Sequence, residues 1–243
     1  FSILLGLTNP KILNFIEITE STFEKINQKM VTEIDPPVGE KEKVINDKNN
    51  NGYLEIWYLE QLAYMEVIAE EKNINKFEIM RNLDFQKDSS YLNPQENKEK
   101  WTTGNGWYEI GVKKGAFTGE IKGNDKTISN LYINYNGNNA SGLISKVSDS
   151  FSIYDFSLKN PIVEGGEYTG ALIGYGLESN IKLNNINIID GEIKNKNSGS
   201  YYTGGVIGAV YNSNSKYEDC VFNNIKYSGL VNGYGATGGI IGS

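Results

Sequence analysis

The stretch Thr169-Gly170-Ala171-Leu172-Ile173-Gly174 decides the fold, because close copies of it recur further along the chain. The second copy reads TGGVIG over residues 203–208 and the third reads TGGIIG over residues 237–242, so that successive copies lie 34 residues apart. A weaker copy, SGLIS, occupies residues 141–145. Self-similarity at a fixed period is typical of a repeat architecture.

A second motif, an Asn or Asp followed three residues later by an apolar or aromatic residue, interleaves with the first. We align its four copies in chain order, which are Asn130-Leu131-Tyr132-Ile133, Asp155-Phe156-Ser157-Leu158, Asn185-Ile186-Asn187-Ile188 and Asn224-Ile225-Lys226-Tyr227. The spacings of these copies are unequal, which predicts loops of different length on one side of the structure.

The two motifs together predict a mainly β fold, a right-handed parallel β-helix with about four coils between residues 115 and 243. Each unit holds short β-rich runs separated by Gly, Asn or Ser turns and has no helix-length periodic stretch. Stacked units would align each strand with its copies at about 4.8 Å. Two inward columns are therefore predicted, and their members are Ile133, Leu158, Ile188 and Tyr227 in one and Leu143, Leu172, Val206 and Ile240 in the other.

The polar residues that open the second motif predict a structural ladder. Stacked Asn side chains can hydrogen-bond to one another along a column of in-register turns. The predicted members of the ladder are Asn130, Asp155, Asn185 and Asn224.

Three regions precede the repeats. Residues 1–34 predict an amphipathic helix that caps the open end of the β-helix, since an uncapped end exposes a sheet edge. Residues 35–52 are rich in Pro, Gly and charge and predict a linker that contains a calcium loop. Residues 53–114 predict a capping region with one helix near 59–71, strands over 77–85 and 107–112, and a polar loop over 86–105. The β-helix is predicted to occupy residues 115–243.

Composition excludes several classes of function. The chain of 243 residues has no histidine and one cysteine, Cys220, so a Ser-His-Asp triad, a Cys-His pair, an HExxH zinc site and an intrachain disulfide are all excluded. A formal net charge of −7 argues against a nucleic-acid partner. No stretch approaches the ~20 apolar residues of a membrane span.

The order of motifs resembles that of GLUG-repeat proteins, a group of large bacterial surface proteins that includes adhesins and the non-catalytic stalk of IgA-protease-type metalloproteases. The resemblance covers about residues 44–243. It rests on blocks in a family-like order, which are Asp47–Leu62 (DKNNNGYLEIWYLEQL), Trp107–Gly111 (WYEIG), Phe117–Asn124 (FTGEIKGN) and Thr127–Leu131 (TISNL). The resemblance implies a β-helical scaffold and says little about function.

The opening block also resembles the first half of an EF-hand calcium loop. Acidic or amide side chains occupy alternate positions and a glycine follows, so the expected metal ligands are Asp47, Asn49, Asn51, Tyr53 through its backbone carbonyl, and Glu55. Tyr58 stands where the loop normally has a bidentate Glu, so calcium would bind weakly. An Asx-rich turn without a metal is the alternative.

Two further groups of residues bear on function. Trp101, Trp107, Tyr108, Tyr201 and Tyr202 are residues on which sugars could stack, although core packing and edge strands explain Trp107 equally well and Trp101 is predicted to lie in a loop. The candidate acids on the repeats for glycoside cleavage are Glu164, Glu167, Asp190 and Glu192, and no pattern links them. We therefore assign no catalytic residues.

These observations favour a non-catalytic, secreted or cell-surface structural or adhesive module, such as a stalk, an adhesin segment or a subunit of an extracellular filament. Its partner would be a protein or glycan on a cell surface, or further copies of itself. One alternative is a carbohydrate-active β-helix of the lyase or tailspike type. Another is a stalk fragment of a larger surface metalloprotease, whose catalytic domain would lie outside these residues.

Overall fold

The computed structural model describes residues 45–87, 94–135, 137, 139–199, 201–212 and 220–243. The chain divides into two compact units, Phe1–Glu40 and Lys41–Ser243, and all of the described residues belong to the second. The predicted amphipathic helix over residues 1–34, its capping role and most of the predicted linker lie outside the described residues.

The described part of the chain is mainly β, as predicted. Its strands in chain order are β1 (Leu54–Ile56), β2 (Lys76–Ile79), β3 (Leu83–Asp84), β4 (Phe117–Ser129), β5 (Tyr132–Asn134), β6 (Ala140–Ser141), β7 (Ile144–Lys159), β8 (Ile162–Gly165), β9 (Tyr168–Thr169), β10 (Ile173–Asn195), β11 (Tyr202–Gly204), β12 (Ile207–Tyr211), β13 (Val221–Asn232) and β14 (Ala236–Gly238). The helices are α1 (Leu59–Lys72) and α2 (Pro94–Thr102).

The described strands form two sheets in which all pairings between strands are parallel. The larger sheet has the order β1-β2-β4-β7-β10-β8-β5, with β3 beside β4 and with β12 and β13 beside β10. The smaller sheet has the order β14-β11-β9-β6. Because β2 pairs with β4, the larger sheet continues across the domain boundary predicted at residue 115.

An apolar column runs through the larger sheet from its first strand to β13. Side chains alternate between the two faces of a strand, so in-register residues on adjacent parallel strands stack on one face. The column consists of Leu54, Phe77, Ile121, Ile153, Leu183 and Phe222. All but Phe222 are buried, and Phe222 is 36% exposed.

The glycine motif that decides the fold forms the smaller sheet. Thr169, Thr203 and Thr237 are in register on β9, β11 and β14. The glycine after each threonine packs against the carbonyl oxygen of the second apolar residue of its own motif, where a Cβ atom would overlap that oxygen. The apolar residues of the motif are joined by backbone hydrogen bonds from Leu143 to Ala171, Leu172 to Val206 and Val206 to Ile240.

The predicted column of the second motif was wrong at its first member, Ile133. Ile188 is in register with Leu158 and Tyr227, as predicted, but the residue below Leu158 is Ile128. Ile133 instead belongs to a separate column with Val163 and Ile193. The reason is that the pattern can occur at two positions of one unit, as at Asp155 and Asn160, so chain order alone cannot assign a copy to its column.

The helix predicted near residues 59–71 is α1. The Gln61 carboxamide oxygen accepts the backbone N–H groups of Trp57 at 2.6 Å and Tyr58 at 3.1 Å, which caps its first turn. Asn73, in the left-handed conformation with φ 52°, ends the helix.

Three local predictions differ from the structure. The strand predicted over 77–85 is two strands, β2 and β3, and part of the loop predicted over 86–105 is helix α2. The stretch 107–112 forms no strand, because it pairs only through an isolated bridge at Ile110. Trp107 and Ile110 of this stretch are nevertheless buried, so the pattern of apolar residues marks burial here and not strand pairing.

Candidate functional site

The opening loop before β1 is held by side-chain oxygens that accept its own backbone N–H groups. The Asp47 carboxylate accepts the N–H of Asn51 at 3.0 Å and that of Gly52 at 2.8 Å. Asn49 Oδ1 accepts the N–H of Asn51 at 3.1 Å, and Asn51 Oδ1 accepts the N–H of Tyr53 at 2.9 Å. The loop is therefore a series of Asx turns.

The loop converges on a carboxylate that its sequence does not reveal, that of Glu78 on β2. Its Oε1 accepts hydrogen bonds from Asn49 Nδ2 at 2.7 Å and Asn51 Nδ2 at 3.0 Å, and its Oε2 accepts one from Asn124 Nδ2 at 3.1 Å. Lys122 Nζ lies 4.0 Å from Oε2. Glu78 is 2% exposed, so these amide donors take the place of water around a buried charge.

The side chains of Glu55 and Tyr53 bond to partners outside the loop. Glu55 is in register with Glu78, but its Oε2 accepts the indole N–H of Trp57 at 2.8 Å. The Tyr53 hydroxyl donates to Glu120, which also accepts the Tyr154 hydroxyl at 2.8 Å. Burial and these hydrogen bonds raise the pKa of the Tyr154 phenol.

The donor chemistry of the loop fits a hard cation, although its orientation does not favour one. Calcium takes oxygen ligands, and the Asp47 and Glu78 carboxylates with the Asn49 and Asn51 amide oxygens would be such a set. Both amides, however, turn their nitrogens toward Glu78. No cluster of three or more His, Cys, Asp or Glu able to hold a metal occurs among the described residues. Calcium stays a prediction.

Three of the four predicted ladder residues are joined by side-chain hydrogen bonds in one column. Asn224 Nδ2 donates to Asn185 Oδ1 at 2.8 Å, and Asn185 Nδ2 donates to Asp155 Oδ1 at 2.7 Å. The fourth, Asn130, lies at another corner, where its Nδ2 donates to Asp84 Oδ1 at 2.7 Å and its Oδ1 accepts Asn160 Nδ2 at 3.3 Å. Including Asn130 in the first column was therefore wrong.

The two columns share a conformation and a direction. Every member of both columns except Asp84 has a positive φ between 51° and 60°, a left-handed conformation in which Asn and Asp are enriched. In each column the amide donors point toward the lower-numbered strand, and the chain of bonds ends on an aspartate, Asp155 or Asp84. A carboxylate only accepts, so it can end such a chain but cannot continue it.

The two tryptophans proposed for sugar stacking are core residues. Trp101 is 3% exposed and Trp107 is fully buried, and both rings lie edge to face with Phe85. The Trp107 indole N–H donates to the Leu143 carbonyl at 2.9 Å, and the Trp101 indole N–H donates to Glu109 Oε1 at 3.0 Å. These rings are not available to a ligand.

Glu109 anchors helix α2 on this aromatic cluster. Its buried carboxylate forms ion pairs with Lys100, at 2.5 Å, and with Lys113. Burial by itself would raise the pKa of Glu109, but the hydrogen bonds from Lys100, Lys113 and Trp101 outweigh it and hold the pKa below its usual value.

The tyrosines of the sugar-stacking prediction lie against other tyrosines. Tyr108 stacks on Tyr135 with ring centroids 4.5 Å apart, and Tyr202 stacks on Tyr168 at 5.8 Å. Tyr168 in turn stacks on Tyr175 at 4.2 Å. Burial and the Glu167 carboxylate raise the pKa of Tyr168 to about 12. Tyr201 is partly exposed and does not belong to this stack.

The four acids weighed for glycoside cleavage do not form one cluster. Glu164 pairs with Lys196 at 3.0 Å, Glu192 pairs with Lys194, and Glu167 lies beside Tyr168. Asp190 and Glu192 line a cavity of about 310 Å³ together with Asn130 and Asn160 of the second Asx column.

Comparison with known proteins gives one partial similarity. A stretch of 102 residues, or 42% of this chain, is 36% identical to a halomucin of Haloquadratum walsbyi. The chain spans about 1% of the length of that protein. No protein-family model matches the chain, and no solved structure matches it significantly. Within the described ranges, neither helix has the length and apolar content needed to cross a membrane.

Proposed function

We propose that this chain is a non-catalytic structural module of a secreted or cell-surface protein, built on a right-handed parallel β-helix of the GLUG-repeat kind. The observation that carries the proposal is the parallel stack from β1 to β13, through which a column of in-register apolar residues runs. Crossover connections between parallel strands of one sheet are right-handed in nearly all proteins, which supports the handedness.

The chemistry of the outer surface supports a scaffold rather than an enzyme. The side chains that repeat from strand to strand are Asn and Asp residues that bond to one another along the columns, such as Asn185 to Asp155. Two of the acids on the repeats, Glu164 and Glu192, are paired with lysines, and Asp190 shares one cavity with Glu192 and two asparagines. A rigid spacer or an adhesin segment needs only this stack.

The partial similarity to a halomucin supports a location outside the cell, because mucins are extracellular proteins. The three glycine motifs at a constant 34-residue spacing are also consistent with a piece of a very long, repetitive surface protein. Its partners would be surface proteins, surface glycans or further copies of the same repeats.

Location and lack of catalysis can be tested separately. An antibody raised against this chain should label intact cells of the source organism, and labelling that appears only after permeabilisation would overturn the proposed location. The purified chain should release no reducing or unsaturated ends from neutral glucans, polygalacturonate, alginate or hyaluronan. Turnover of any of these polymers would favour the carbohydrate-active alternative, and its loss in Asp190→Asn or Glu192→Gln would place the active site in the 310 Å³ cavity.

A further inference from the structure

A lysine, an asparagine, a glutamate and a tyrosine meet on the outer face of the larger sheet, where β5, β8 and β10 run side by side. Lys196 Nζ contacts Asn134 Oδ1 directly and lies 3.0 Å from Glu164 Oε2. Asn134 Nδ2 donates to the Tyr132 hydroxyl at 3.0 Å. The functional proposal above uses none of these four side chains.

The backbone holds these side chains in place from three adjacent strands. Asn134 is in register with Glu164, and Glu164 is in register with Lys194, two residues before Lys196. The N–H of Lys196 donates to the Gly165 carbonyl at 2.9 Å, and the N–H of Tyr135 donates to the Glu164 carbonyl at 3.0 Å. The side-chain amine of Lys196 therefore extends past Glu164 to Asn134.

We propose that Lys196 and Asn134 form an intramolecular isopeptide bond, with Glu164 as the proton acceptor and donor. The lysine amine attacks the Asn134 side-chain carbonyl carbon, a C–N bond forms, the Cγ–Nδ2 bond breaks, and one ammonia leaves. No oxidant, reductant or other reactant is needed. Amines are nucleophiles only when unprotonated, so a carboxylate that accepts the ammonium proton activates the lysine.

Each neighbour has a role in that reaction. Glu164 takes the proton from the amine and returns it to the departing nitrogen. The Tyr132 hydroxyl holds the amide nitrogen that becomes ammonia. The side chains of Lys196 and Glu164 are 29% and 31% exposed. Because water stabilises the protonated amine at such a site, we expect bond formation to be slow at neutral pH and faster at alkaline pH.

The bond would tie together chain positions 62 residues apart, at the end of β10 and on β5, which pair with β8 from its two sides. A covalent link across this length of chain restricts the unfolded state and resists forced separation of the strands. That property suits a module under tension, but the proposed bond follows from the four side chains alone and does not depend on the function of the protein.

The test is the mass of the denatured full chain before and after incubation at alkaline pH, followed by tryptic mapping. The bond predicts a mass lower by one ammonia and a branched peptide joining residues 127–146 to residues 195–216. The branched peptide should be absent from Lys196→Arg, Asn134→Ala and Glu164→Gln. Lys194→Arg, a lysine two residues away on the same strand face, is the matched control and should keep it.

Peptide mapping is needed because the Asn136-Gly137 pair can also lose ammonia by closing to a succinimide. That product is a linear peptide and would persist in Lys196→Arg. A full-length chain with no branched peptide after alkaline incubation, whether its mass is unchanged or lowered by succinimide alone, overturns the proposal. Persistence of the branched peptide in Lys196→Arg would overturn the assignment of the lysine.

Discussion

The buried carboxylate of Glu78 holds the loop over residues 47–52, although it lies far from that loop in the sequence. Three asparagine amides donate to this carboxylate, and two of them belong to the loop predicted to bind calcium. For calcium to bind, Asn49 and Asn51 must turn their oxygens toward the position that their nitrogens now face. That rotation gives up two Asx-turn hydrogen bonds, so the affinity should be weak.

We expect millimolar calcium to raise the melting temperature of the wild-type chain. A ligand present at tenfold excess over its Kd adds about 1.4 kcal/mol to the free energy of unfolding. Asp47→Asn removes the one carboxylate of the loop and should abolish the rise, whereas Asp190→Asn should leave it intact. Magnesium, which requires a regular octahedral site, should have a smaller effect. An equal melting temperature with and without calcium would rule out the site.

The Glu109 carboxylate should make the attachment of helix α2 sensitive to acid. Because its pKa is lowered in the folded chain, its stabilisation is present above the usual carboxyl pKa and is lost as the pH falls through the folded value. We expect Glu109→Gln to lower the free energy of unfolding by about 1–3 kcal/mol at pH 7, the value of a hydrogen bond to a charged group.

Urea unfolding of wild type and Glu109→Gln at neutral and acidic pH checks this prediction. The difference between the two proteins should shrink toward zero in acid, where the wild-type carboxyl is protonated. Glu99→Gln, an exposed position on the same helix, should show no difference at either pH. A difference that stays constant with pH would contradict the argument.

The strands carry a polar column whose direction can be tested with a single charge. In Asn185→Asp the new carboxylate would face the Asp155 carboxylate with no proton between them. Two adjacent carboxylates of like charge repel, and because this pair is exposed we expect a loss of about 0.5–1.5 kcal/mol at neutral pH that recovers in acid.

Asn184→Asp is the matched control for that experiment. Asn184 Oδ1 accepts a hydrogen bond from Asn223 Nδ2 at 2.8 Å, and an aspartate there keeps the acceptor while adding the same charge. Chemical denaturation of both variants at pH 7 should show a clear loss for Asn185→Asp only. Equal losses would mean that net charge, and not the direction of the column, determines the effect.

At the level of elements, the register of the glycine motif is predictable from the sequence because its spacing is constant. The register of the Asx motif is not, because the motif can occur twice in one unit. The glycine motif recurs every 34 residues, and its threonines are in register in the structure. The Asx motif recurs at two positions of a unit, as at Asn185 and Asp190, and Asn130 and Ile133 were assigned to the wrong one. Helix α2 carries no amphipathic pattern, so its composition reads as a loop.

The candidate sites were harder to predict, because their residues come from different strands. Glu78 reaches the opening loop only because β1 and β2 pair in register, and that register is not visible in the loop sequence. Lys196, Glu164 and Asn134 likewise come together through two successive pairings. Composition and motif spacing predict that the strands stack. They do not predict which side chains meet on neighbouring strands, because that depends on the register of each pairing.

Across the whole stack, burial of the apolar column falls at its last strand. Leu183 on β10 is 1% exposed, whereas Phe222, its in-register neighbour on β13, is 36% exposed. Among the described strands, β13 pairs only with β10, while β10 pairs with strands on both of its sides. The free energy of local opening should therefore be highest at β7 and β10 and lowest at β13.

Truncation of two neighbours in one column tests this gradient. Leu183→Ala should lower the free energy of unfolding by about 2–5 kcal/mol, because it leaves a cavity among buried side chains. Phe222→Ala removes a larger side chain, but that side chain still contacts water, and we expect a loss below about 1.5 kcal/mol. Hydrogen exchange should likewise show faster exchange across β13 than across β7. If Phe222→Ala proves as costly as Leu183→Ala, the last strand is buried in solution by contacts that this chain alone does not show.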